Sequence, residues 1–339
     1  MKAYVLKGIG DLEYVDVETP KLQTGWVLLK VRAAGICSSD IPRIFTTGTY
    51  NFPTIPGHEF CGEVVAVADA QDANLIGKRM GVFPLIPCKK CEFCKIGHYE
   101  MCVNYNYLGS RCDGGFAEYV SVPKWNLIEL PNTVSFEQAA VLEPLAVAYH
   151  SVSAANLLKV KTAAVIGTGA IGLFIAMILK EKGIDVCVLG RNEEKRDLAQ
   201  KCGICNYVNT AAGSDLTQYD LMFEAVGTNA SLVQAISKTK SGGQILLVGN
   251  PYKDMCLSKN DYWQILRRQL TLIGTWNSMY EQNATCDWSE ALRLIENGAV
   301  DTTKAITHIF AQDKLYDALD IMNEHSVPYG RIVVEFNEQ

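Results

Sequence analysis

The sequence has no excess of positive charge. It contains 31 Lys and Arg against 37 Asp and Glu, which gives a net charge of −6. Nucleic-acid-binding proteins usually present a basic surface, so we expect no nucleic-acid partner. Internal repeats and low-complexity tracts are also absent, and the first residues, MKAYVLKGIGDLEYV, contain no apolar core of signal-peptide length. We therefore expect a globular protein of the cytoplasm.

Long apolar runs are scarce as well. The longest is Ala163–Leu179, AAVIGTGAIGLFIAMIL. It falls short of the roughly 20 residues that a membrane helix needs, and three glycines interrupt it. A buried strand, a turn and a buried helix explain this composition better than a membrane span, so we expect no membrane association.

Cysteine, by contrast, is abundant, with 12 residues in a chain of 339. Four of them, Cys88, Cys91, Cys94 and Cys102, have the spacing C-x2-C-x2-C-x7-C. Four thiolates this close in sequence can surround one Zn²⁺ and leave no coordination position open, so they predict a structural metal. His98 lies inside the stretch and is interpreted as a surface residue, because the thiolates already complete the shell. Without a secretion signal, the other cysteines are expected to be reduced.

The pattern of the chain changes near residue 143. Before it, short strands such as Trp26–Arg32 and Glu63–Val67 are separated by Pro and Gly, which predicts a β-rich domain, a small barrel. From Ala163 onward, apolar strands alternate with helices, which predicts an α/β fold with a doubly wound parallel sheet. The end of the chain is mixed, with a last strand at Gly330–Glu335. We expect domains at 1–145, 146–278 and 279–339, the last returning to the first, and a metal lobe at about 86–104.

A glycine-rich loop lies between the first strand and first helix of the predicted parallel sheet. Gly167, Gly169 and Gly172 match G-x-G-x-x-G, with Ala170 and Ile171 inside the motif. The strand before and the amphipathic helix after it supply the context that a dinucleotide site needs. The glycines allow a tight turn, close approach of a pyrophosphate, and close packing of the helix. The phosphates would lie at the helix N-terminus, where free N–H groups favour an anion.

The second strand of this unit lacks the acidic residue that binds the ribose of NAD. Gly190 stands at the end of the strand, and Arg191 follows it. A missing carboxylate removes repulsion of a 2′-phosphate, and a nearby arginine can pair with that group. Lys195 and Arg196 lie close enough to add positive charge. We therefore expect NAD(P) as cofactor, with NADP preferred over NAD.

Several chemically active residues are scattered through the first domain. Cys37, His58, Glu59 and Glu143 are far apart in sequence. A single cysteine is usually a small buried hydrophobe, and a single histidine is often a satisfied core residue. Spacing alone does not connect these positions.

Six motifs in order connect them: GICSSD, PGHEFCGEVVAV, the four-cysteine stretch, DGGFAEY, LEPLAVAYH and VIGTGAIG. Their order and spacing resemble the zinc-dependent medium-chain dehydrogenase/reductase family along the whole chain. Within that family, Pro42–Phe45, Gly109–Arg111 and Gly274–Asn277 resemble the polyol dehydrogenases. The resemblance implies a discontinuous GroES-like β-barrel catalytic domain and a Rossmann domain, with the active site in the cleft between them.

The resemblance also implies two zinc ions per chain. It makes Cys37, His58 and Glu143 ligands of a catalytic zinc, with one position left open for water or substrate. Glu59 matches a family glutamate that lies beside the metal and can approach it. The four clustered cysteines hold the structural zinc. The implied reaction is oxidation of a secondary alcohol, with hydride transfer to the nicotinamide.

A proton must leave the alcohol during that reaction. Ser39 matches the family's Ser or Thr two positions after the cysteine ligand and can pass the proton on. Many alcohol dehydrogenases of the family place a histidine five positions after that cysteine, but this chain has Pro42 there. Solvent, or Glu59 through a water, is expected to replace the histidine relay.

The substrate is expected to be a polyol or a polyol phosphate, with galactitol 1-phosphate the foremost candidate. Arg43 and Arg111 are candidates for binding a phosphate, although each is equally well explained as a structural ion pair. Tyr50 and Trp276 are candidates for lining the substrate site or for the domain interface. Sorbitol/xylitol-type and threonine-type dehydrogenases are alternatives within the family.

Two other classes compete with this interpretation. A non-enzymatic zinc module that binds nucleic acid is disfavoured by the acidic net charge and leaves Cys37, His58 and Glu143 without a role. A catalytically silent nucleotide-binding relative is disfavoured by the full ligand set. Because family members are commonly dimers or tetramers, we expect a homodimer or homotetramer.

Overall fold

The computed structural model describes residues 1–212 and 216–336. The chain forms two compact units. Unit 1 contains residues 1–143, 279–296 and the chain from 306 onward, and unit 2 contains residues 144–278 and 297–305. Residues 297–305 lie inside the predicted return segment and group with unit 2.

The described residues form seventeen strands, and regular pairing places them in four sheets. The strands are β1 (Lys2–Gly8), β2 (Asp11–Asp16), β3 (Trp26–Gly35), β4 (Glu59–Val67), β5 (Arg79–Val82), β6 (Leu85–Ile86), β7 (Asn106–Tyr107), β8 (Tyr119–Pro123), β9 (Leu127–Glu129), β10 (Thr162–Ile166), β11 (Asp185–Gly190), β12 (Asn206–Asn209), β13 (Tyr219–Glu224), β14 (Thr239–Leu247), β15 (Thr271–Gly274), β16 (Ile306–Ala311) and β17 (Arg331–Glu335).

The helices are mostly short and lie between the strands. The α-helices are α1 (Asp40–Phe45), α2 (Glu92–Lys95), α3 (Phe136–Ala139), α4 (Leu142–Ser153), α5 (Ala170–Glu181), α6 (Lys195–Lys201), α7 (Asn229–Lys238), α8 (Lys259–Arg268), α9 (Asp287–Glu296) and α10 (Leu315–Glu324), and 3₁₀ turns cover Ala70–Leu75, Tyr99–Met101, Lys124–Asn126, Thr302–Lys304 and Gln312–Lys314. No helix in the described ranges is long and apolar enough to cross a bilayer.

Unit 1 is built on a seven-stranded sheet of order β16-β17-β3-β4-β5-β9, with β8 also paired to β3. The strands at Trp26–Arg32 and Glu63–Val67 are confirmed as parts of β3 and β4. The final strand, β17, pairs antiparallel with β3, so the end of the chain completes the sheet that its beginning starts. Apolar side chains of these strands and of α10 form one buried core. β3 and β4 thereby become the rigid support for the residues that follow β3 and precede β4.

Unit 2 is a six-stranded sheet of order β12-β11-β10-β13-β14-β15. Every neighbouring pair is parallel. The order reverses between β10 and β13, as in a doubly wound dinucleotide-binding sheet. The predicted fold class is confirmed here. The strand β12, with the sequence NYVN, is too short and polar to stand out from the sequence pattern.

Candidate active site and metal centres

Three ligand-type side chains meet at one end of the β3–β4 pair. Cys37 follows β3, while His58 and Glu59 lie at the start of β4. Because the two strands pair antiparallel with Gly35 opposite Glu59, positions about 20 residues apart become neighbours. Ligand atoms of Cys37, His58 and Glu59 all lie within 4.8 Å of one another. A thiol, an imidazole and a carboxylate at this spacing form a donor set suited to zinc.

Asp40 lies behind His58 and is fully buried at the start of α1. Its Oδ1 atom lies 3.3 Å from Nδ1 of His58, and its Oδ2 atom accepts a 3.0 Å hydrogen bond from the backbone N–H of Cys37. Arg43 places Nη1 3.4 Å from Asp40 Oδ1 and 3.5 Å from His58 Nδ1. Asp40 therefore fixes the imidazole ring and the cysteine loop together and leaves Nε2 of His58 available as a ligand.

The charges in this cluster favour the thiolate form of Cys37. Burial raises the pKa of the Cys37 thiol, but the charge and hydrogen bond of His58 outweigh burial and lower the pKa to about 6. Burial would lower the pKa of His58, but Asp40 and Cys37 raise it to about 10. Ser39 donates a 3.2 Å hydrogen bond to the Cys37 sulfur, which also stabilises negative charge there. The thiolate is the form of cysteine that binds metals.

Glu59 is almost completely buried, and its carboxylate contacts Nη2 of Arg331 on β17. The other oxygen, Oε1, lies 3.8 Å from Nε2 of His58 and has no hydrogen-bond partner in the described part of the chain. A buried carboxylate oxygen without a partner is costly unless a cation or donor completes it. A side chain at Gly35 would lie 2.7 Å from Glu59 Oε2, so glycine is required there. The Cys37–His58–Glu59 group therefore fits a bound cation.

Glu143 lies at the start of α4, close to this group but not among its three mutually adjacent ligands. Its Oε1 atom accepts a 3.4 Å hydrogen bond from the hydroxyl of Tyr107. Burial raises the pKa of Glu143 to about 7. The ring of Tyr107 lies 5.7 Å from the ring of His58. Tyr107 therefore bridges the imidazole and the carboxylate and fixes where Glu143 points.

The four clustered cysteines form the second centre. All four sulfurs lie within 4.8 Å of one another, with Cys88 to Cys94 at 4.0 Å and Cys91 to Cys102 at 3.9 Å. Four zinc–sulfur bonds of about 2.3 Å in a tetrahedron separate sulfurs by roughly 3.8 Å, so the cluster has nearly the required size. His98 is half exposed and pairs with buried Glu100 at 2.9 Å.

The glycine loop of unit 2 lies at the carboxyl end of β10. Gly167 has φ +118°, and a side chain at Gly172 would lie 2.3 Å from the carbonyl oxygen of Gly167. Gly169 is the N-cap of α5, which begins at Ala170 and continues through Ile171. The carboxylate of Glu224 accepts hydrogen bonds from the N–H groups of the next turn. This arrangement directs the N-terminus of α5 toward the place where a pyrophosphate binds in such sheets.

Gly190 ends β11, and Tyr207 of β12 leaves no room for a side chain at this position. A Cβ atom at 190 would lie 2.1 Å from the Tyr207 hydroxyl and 2.9 Å from Thr168. Arg191 is exposed and has no ion pair within the described ranges. Arg196, by contrast, contacts Glu193, donates a 3.0 Å hydrogen bond to the carbonyl of Tyr207 and stacks on its ring. Of the two guanidinium groups, that of Arg191 is therefore the more available to bind a phosphate.

The four candidate substrate residues have different surroundings. Arg43 is engaged by Asp40 and His58. Tyr50 is 66% exposed and stacks on Arg111, while Trp276 is 58% exposed just after β15 of unit 2.

Sequence reasoning missed Asp40, Tyr107 and Arg331. Asp40 could have been found, because it lies inside the GICSSD motif. Tyr107 and Arg331 carry no local signal.

Two family models match most of the chain. Residues 23–132 match the model for the alcohol dehydrogenase GroES-like domain, and residues 170–297 match the model for zinc-binding dehydrogenase. Galactitol 1-phosphate 5-dehydrogenase of Escherichia coli K12 is 30% identical over 91% of this chain and 92% of that protein. L-threonine 3-dehydrogenase of Proteus mirabilis is 30% identical over 98% of both chains, and sorbitol dehydrogenase of Bacillus subtilis is 27% identical over 94% of this chain and 93% of that protein.

Solved structures of dehydrogenases have the same fold as this chain. The crystal structure of E. coli galactitol-1-phosphate dehydrogenase has a TM-score of 0.91 with this chain at 29% identity, covering 99% of this chain and 100% of that one. A zinc-binding dehydrogenase from Sinorhizobium meliloti bound to NADP has a TM-score of 0.88 at 27% identity, covering 99% of both chains. An alcohol dehydrogenase from E. coli CFT073 in complex with NADH has a TM-score of 0.90 at 25% identity, again covering 99% of both. The chain therefore belongs to the zinc-dependent medium-chain dehydrogenase family and is an oxidoreductase of the alcohol dehydrogenase type.

Proposed function

We propose that the protein oxidises a secondary hydroxyl of a polyol phosphate, with galactitol 1-phosphate as the foremost substrate and NADP as the preferred acceptor. The observation that carries the proposal is the Cys37–His58–Glu59 group, whose ligand atoms lie within 4.8 Å of one another and whose Glu59 Oε1 has no hydrogen-bond partner among the described residues. The likeness to galactitol 1-phosphate 5-dehydrogenase supports the substrate class.

The residues present fit two zinc ions. Cys37 and His58 would hold the catalytic zinc with one of the two carboxylates, Glu59 or Glu143, and the four clustered cysteines would hold the structural zinc. A zinc ion in the first site would increase the acidity of a bound alcohol, and nicotinamide would accept the hydride. The structure supports a division between the carboxylates. Glu59 lies within the ligand group, and Tyr107 holds Glu143 beside it.

The protein's own groups orient the donors and move the proton. Asp40 holds the His58 ring by accepting from Nδ1, and Arg43 pairs with the same Asp40 carboxylate, so that Nε2 faces the ligand group. Ser39 lies 3.2 Å from the Cys37 sulfur and is part buried, so its hydroxyl is placed to carry a proton from the site toward solvent. Position 42 is proline, so a histidine does not share this role.

The NADP preference rests on Gly190 and Arg191. Tyr207 occupies the space that an acidic side chain at 190 would need, so the strand end offers no carboxylate to repel a 2′-phosphate. Arg191 follows directly and is exposed without an ion pair in the described part of the chain. We expect Arg191→Ala to lower kcat/KM for NADP by about 10- to 100-fold, the size of one charge-assisted hydrogen bond, while kcat/KM for NAD changes little. Arg196→Ala is the matched control, because that guanidinium is already engaged.

The test of the whole proposal is a matrix of two cofactors, NAD and NADP, against galactitol 1-phosphate, galactitol, sorbitol, xylitol and L-threonine. The proposal predicts the highest kcat/KM for galactitol 1-phosphate with NADP, and two zinc ions per chain by elemental analysis. Higher kcat/KM for L-threonine or for an unphosphorylated polyol would reject the substrate assignment. A single zinc per chain would reject the catalytic metal site.

A further inference from the structure

Arg111 is clamped between two tyrosine rings. Its guanidinium carbon lies over both rings, 4.3 Å from the ring centroid of Tyr50 and 4.3 Å from that of Tyr105. The backbone at Arg111 is fixed too, since its N–H donates to the carbonyl of Tyr107 at 2.9 Å and its carbonyl accepts from Asn51 at 3.0 Å. The side chain is therefore held in one plane and one orientation.

Among the described residues, hydrogen bonds reach one edge of this guanidinium. Nη1 donates a 3.0 Å hydrogen bond to the carbonyl of Tyr105. Nε is buried without a partner, and no carboxylate forms an ion pair with Arg111 within the described residues. A buried charged donor without an acceptor is costly, so its retention points to an acceptor that arrives from outside. The edge that carries Nε and Nη2 makes no hydrogen bond with the described residues, and it is the fork that matches two oxygens of one phosphate or carboxylate.

The clamp lies on the same segment that reaches the catalytic group. The ring of Tyr105 lies 6.2 Å from that of Tyr107, and Tyr107 in turn lies 5.7 Å from His58 and bonds to Glu143. A succession of ring contacts thus leads from the guanidinium to the metal-binding imidazole. Arg43, the other cation near this path, is engaged by Asp40 and His58 and offers no comparable free edge.

We propose that the Nε–Nη2 edge of Arg111 binds the oxyanion end of the substrate, a phosphate monoester, while Tyr50 and Tyr105 keep the guanidinium plane fixed. This assignment rests on the proposed function and makes it more specific, because it makes Arg111 the residue that separates a polyol phosphate from the neutral polyol. A carboxylate presents the same pair of oxygens, and one relative is a threonine dehydrogenase. The test therefore contains both anions.

The experiment measures kcat and KM of the zinc-loaded enzyme for galactitol 1-phosphate, galactitol and L-threonine. The variants are Arg111→Gln, Arg111→Lys and the control Arg293→Gln, which removes an exposed pairing with Glu290 on α9. We expect Arg111→Gln to lower kcat/KM for galactitol 1-phosphate about 100-fold, mainly through KM, with less than a twofold change for galactitol. Arg111→Lys keeps the charge but loses the fork, so we expect a loss of about 10-fold.

A readout independent of turnover is the rise in melting temperature of each variant with millimolar galactitol 1-phosphate. The wild type and Arg293→Gln should show the rise, and Arg111→Gln should lose it.

A loss of kcat/KM confined to L-threonine would assign the oxyanion to a carboxylate and still support the site. Equal losses for galactitol and its phosphate, or no loss with either variant, would overturn the inference. If wild type oxidises none of the substrates, the proposed function fails, whereas the melting experiment still decides whether Arg111 binds the phosphate.

Discussion

Replacement of Gly190 by alanine tests whether Tyr207 excludes every side chain from the end of β11. The new Cβ would lie 2.1 Å from the Tyr207 hydroxyl, 2.8 Å from Cζ and 2.9 Å from Thr168. Tyr207 is 5% exposed and its hydroxyl donates a 2.5 Å hydrogen bond to the carbonyl of Asn192, so it cannot move away freely. Overpacking costs about 1–3 kcal/mol and the lost hydrogen bond about 1 kcal/mol. We expect Gly190→Ala to lower the free energy of unfolding by about 3 kcal/mol.

The double-mutant cycle with Tyr207→Phe makes this reasoning refutable. Tyr207→Phe alone should cost about 1 kcal/mol, since it removes one hydrogen bond and leaves the ring. Because it also removes the atom nearest the new methyl group, the double variant should be more stable than the sum of the single effects predicts, by about 1 kcal/mol or more. Urea denaturation measures all three variants. Additive losses would show that the two side chains do not compete for space.

Four further outcomes are expected. Cys94→Ser should lose one zinc per chain by elemental analysis and lower the melting temperature, whereas Cys205→Ser, an exposed control, should change neither. Ser39→Ala should lower turnover with both zinc ions retained, and unchanged turnover would remove Ser39 from the proton path. Burial raises the pKa of Asp220, but Lys240 and the N–H groups of Thr162 and Lys161 outweigh burial and lower it. The ionised Asp220 carboxylate therefore stabilises the fold at pH values above the ordinary pKa of aspartate, and this contribution is lost as the pH falls through the lowered pKa of the folded state. In urea titrations, Asp220→Asn should have a lower free energy of unfolding than wild type at pH 7, and the difference should shrink below about pH 4. We expect light scattering to show an oligomer, because β15 is an edge strand of the described sheet and Trp263 and Leu266 of α8 are exposed apolar side chains. Leu266→Lys should weaken the association between subunits, and a monomeric wild type would contradict this expectation.

The elements that the sequence predicts well are those whose signal is local. The strands and helices of unit 2 alternate in apolar runs that only a buried parallel sheet explains, and the glycine loop has both its strand and its helix beside it. The four-cysteine cluster is local too, because Cys88, Cys91, Cys94 and Cys102 fall within fifteen residues. In each of these cases the residues that act together are neighbours in sequence, so their spacing is enough to predict that they lie close together in the fold.

The Cys37–His58–Glu59 group could not be predicted by spacing because strand register creates it. Gly35 faces Glu59 across the β3–β4 pair, and that pairing brings Cys37 to His58. The sequence contains no signal for a register between strands that far apart, and a shift of one residue would turn every side chain to the other face. Resemblance to a family supplied the grouping instead. It predicted Glu143 as a ligand and Glu59 as a neighbour of the metal. In the structure, Glu59 lies within 4.8 Å of the other two candidate ligands and Glu143 is hydrogen-bonded to Tyr107, so the choice between the two carboxylates stays a prediction.

Arg43 and Arg111 show most clearly what the fold adds. In the sequence both are arginines in segments typical of one subfamily, and each is as well explained by an ion pair as by a phosphate. The structure pairs Arg43 with the buried Asp40 carboxylate and leaves Arg111 with a buried Nε that has no hydrogen-bond partner among the described residues. A guanidinium is always charged, so its function depends on which acceptors surround it. We therefore expect the two arginines to differ in role, Arg43 in the support of His58 and Arg111 in the binding of an anion, because their neighbours differ.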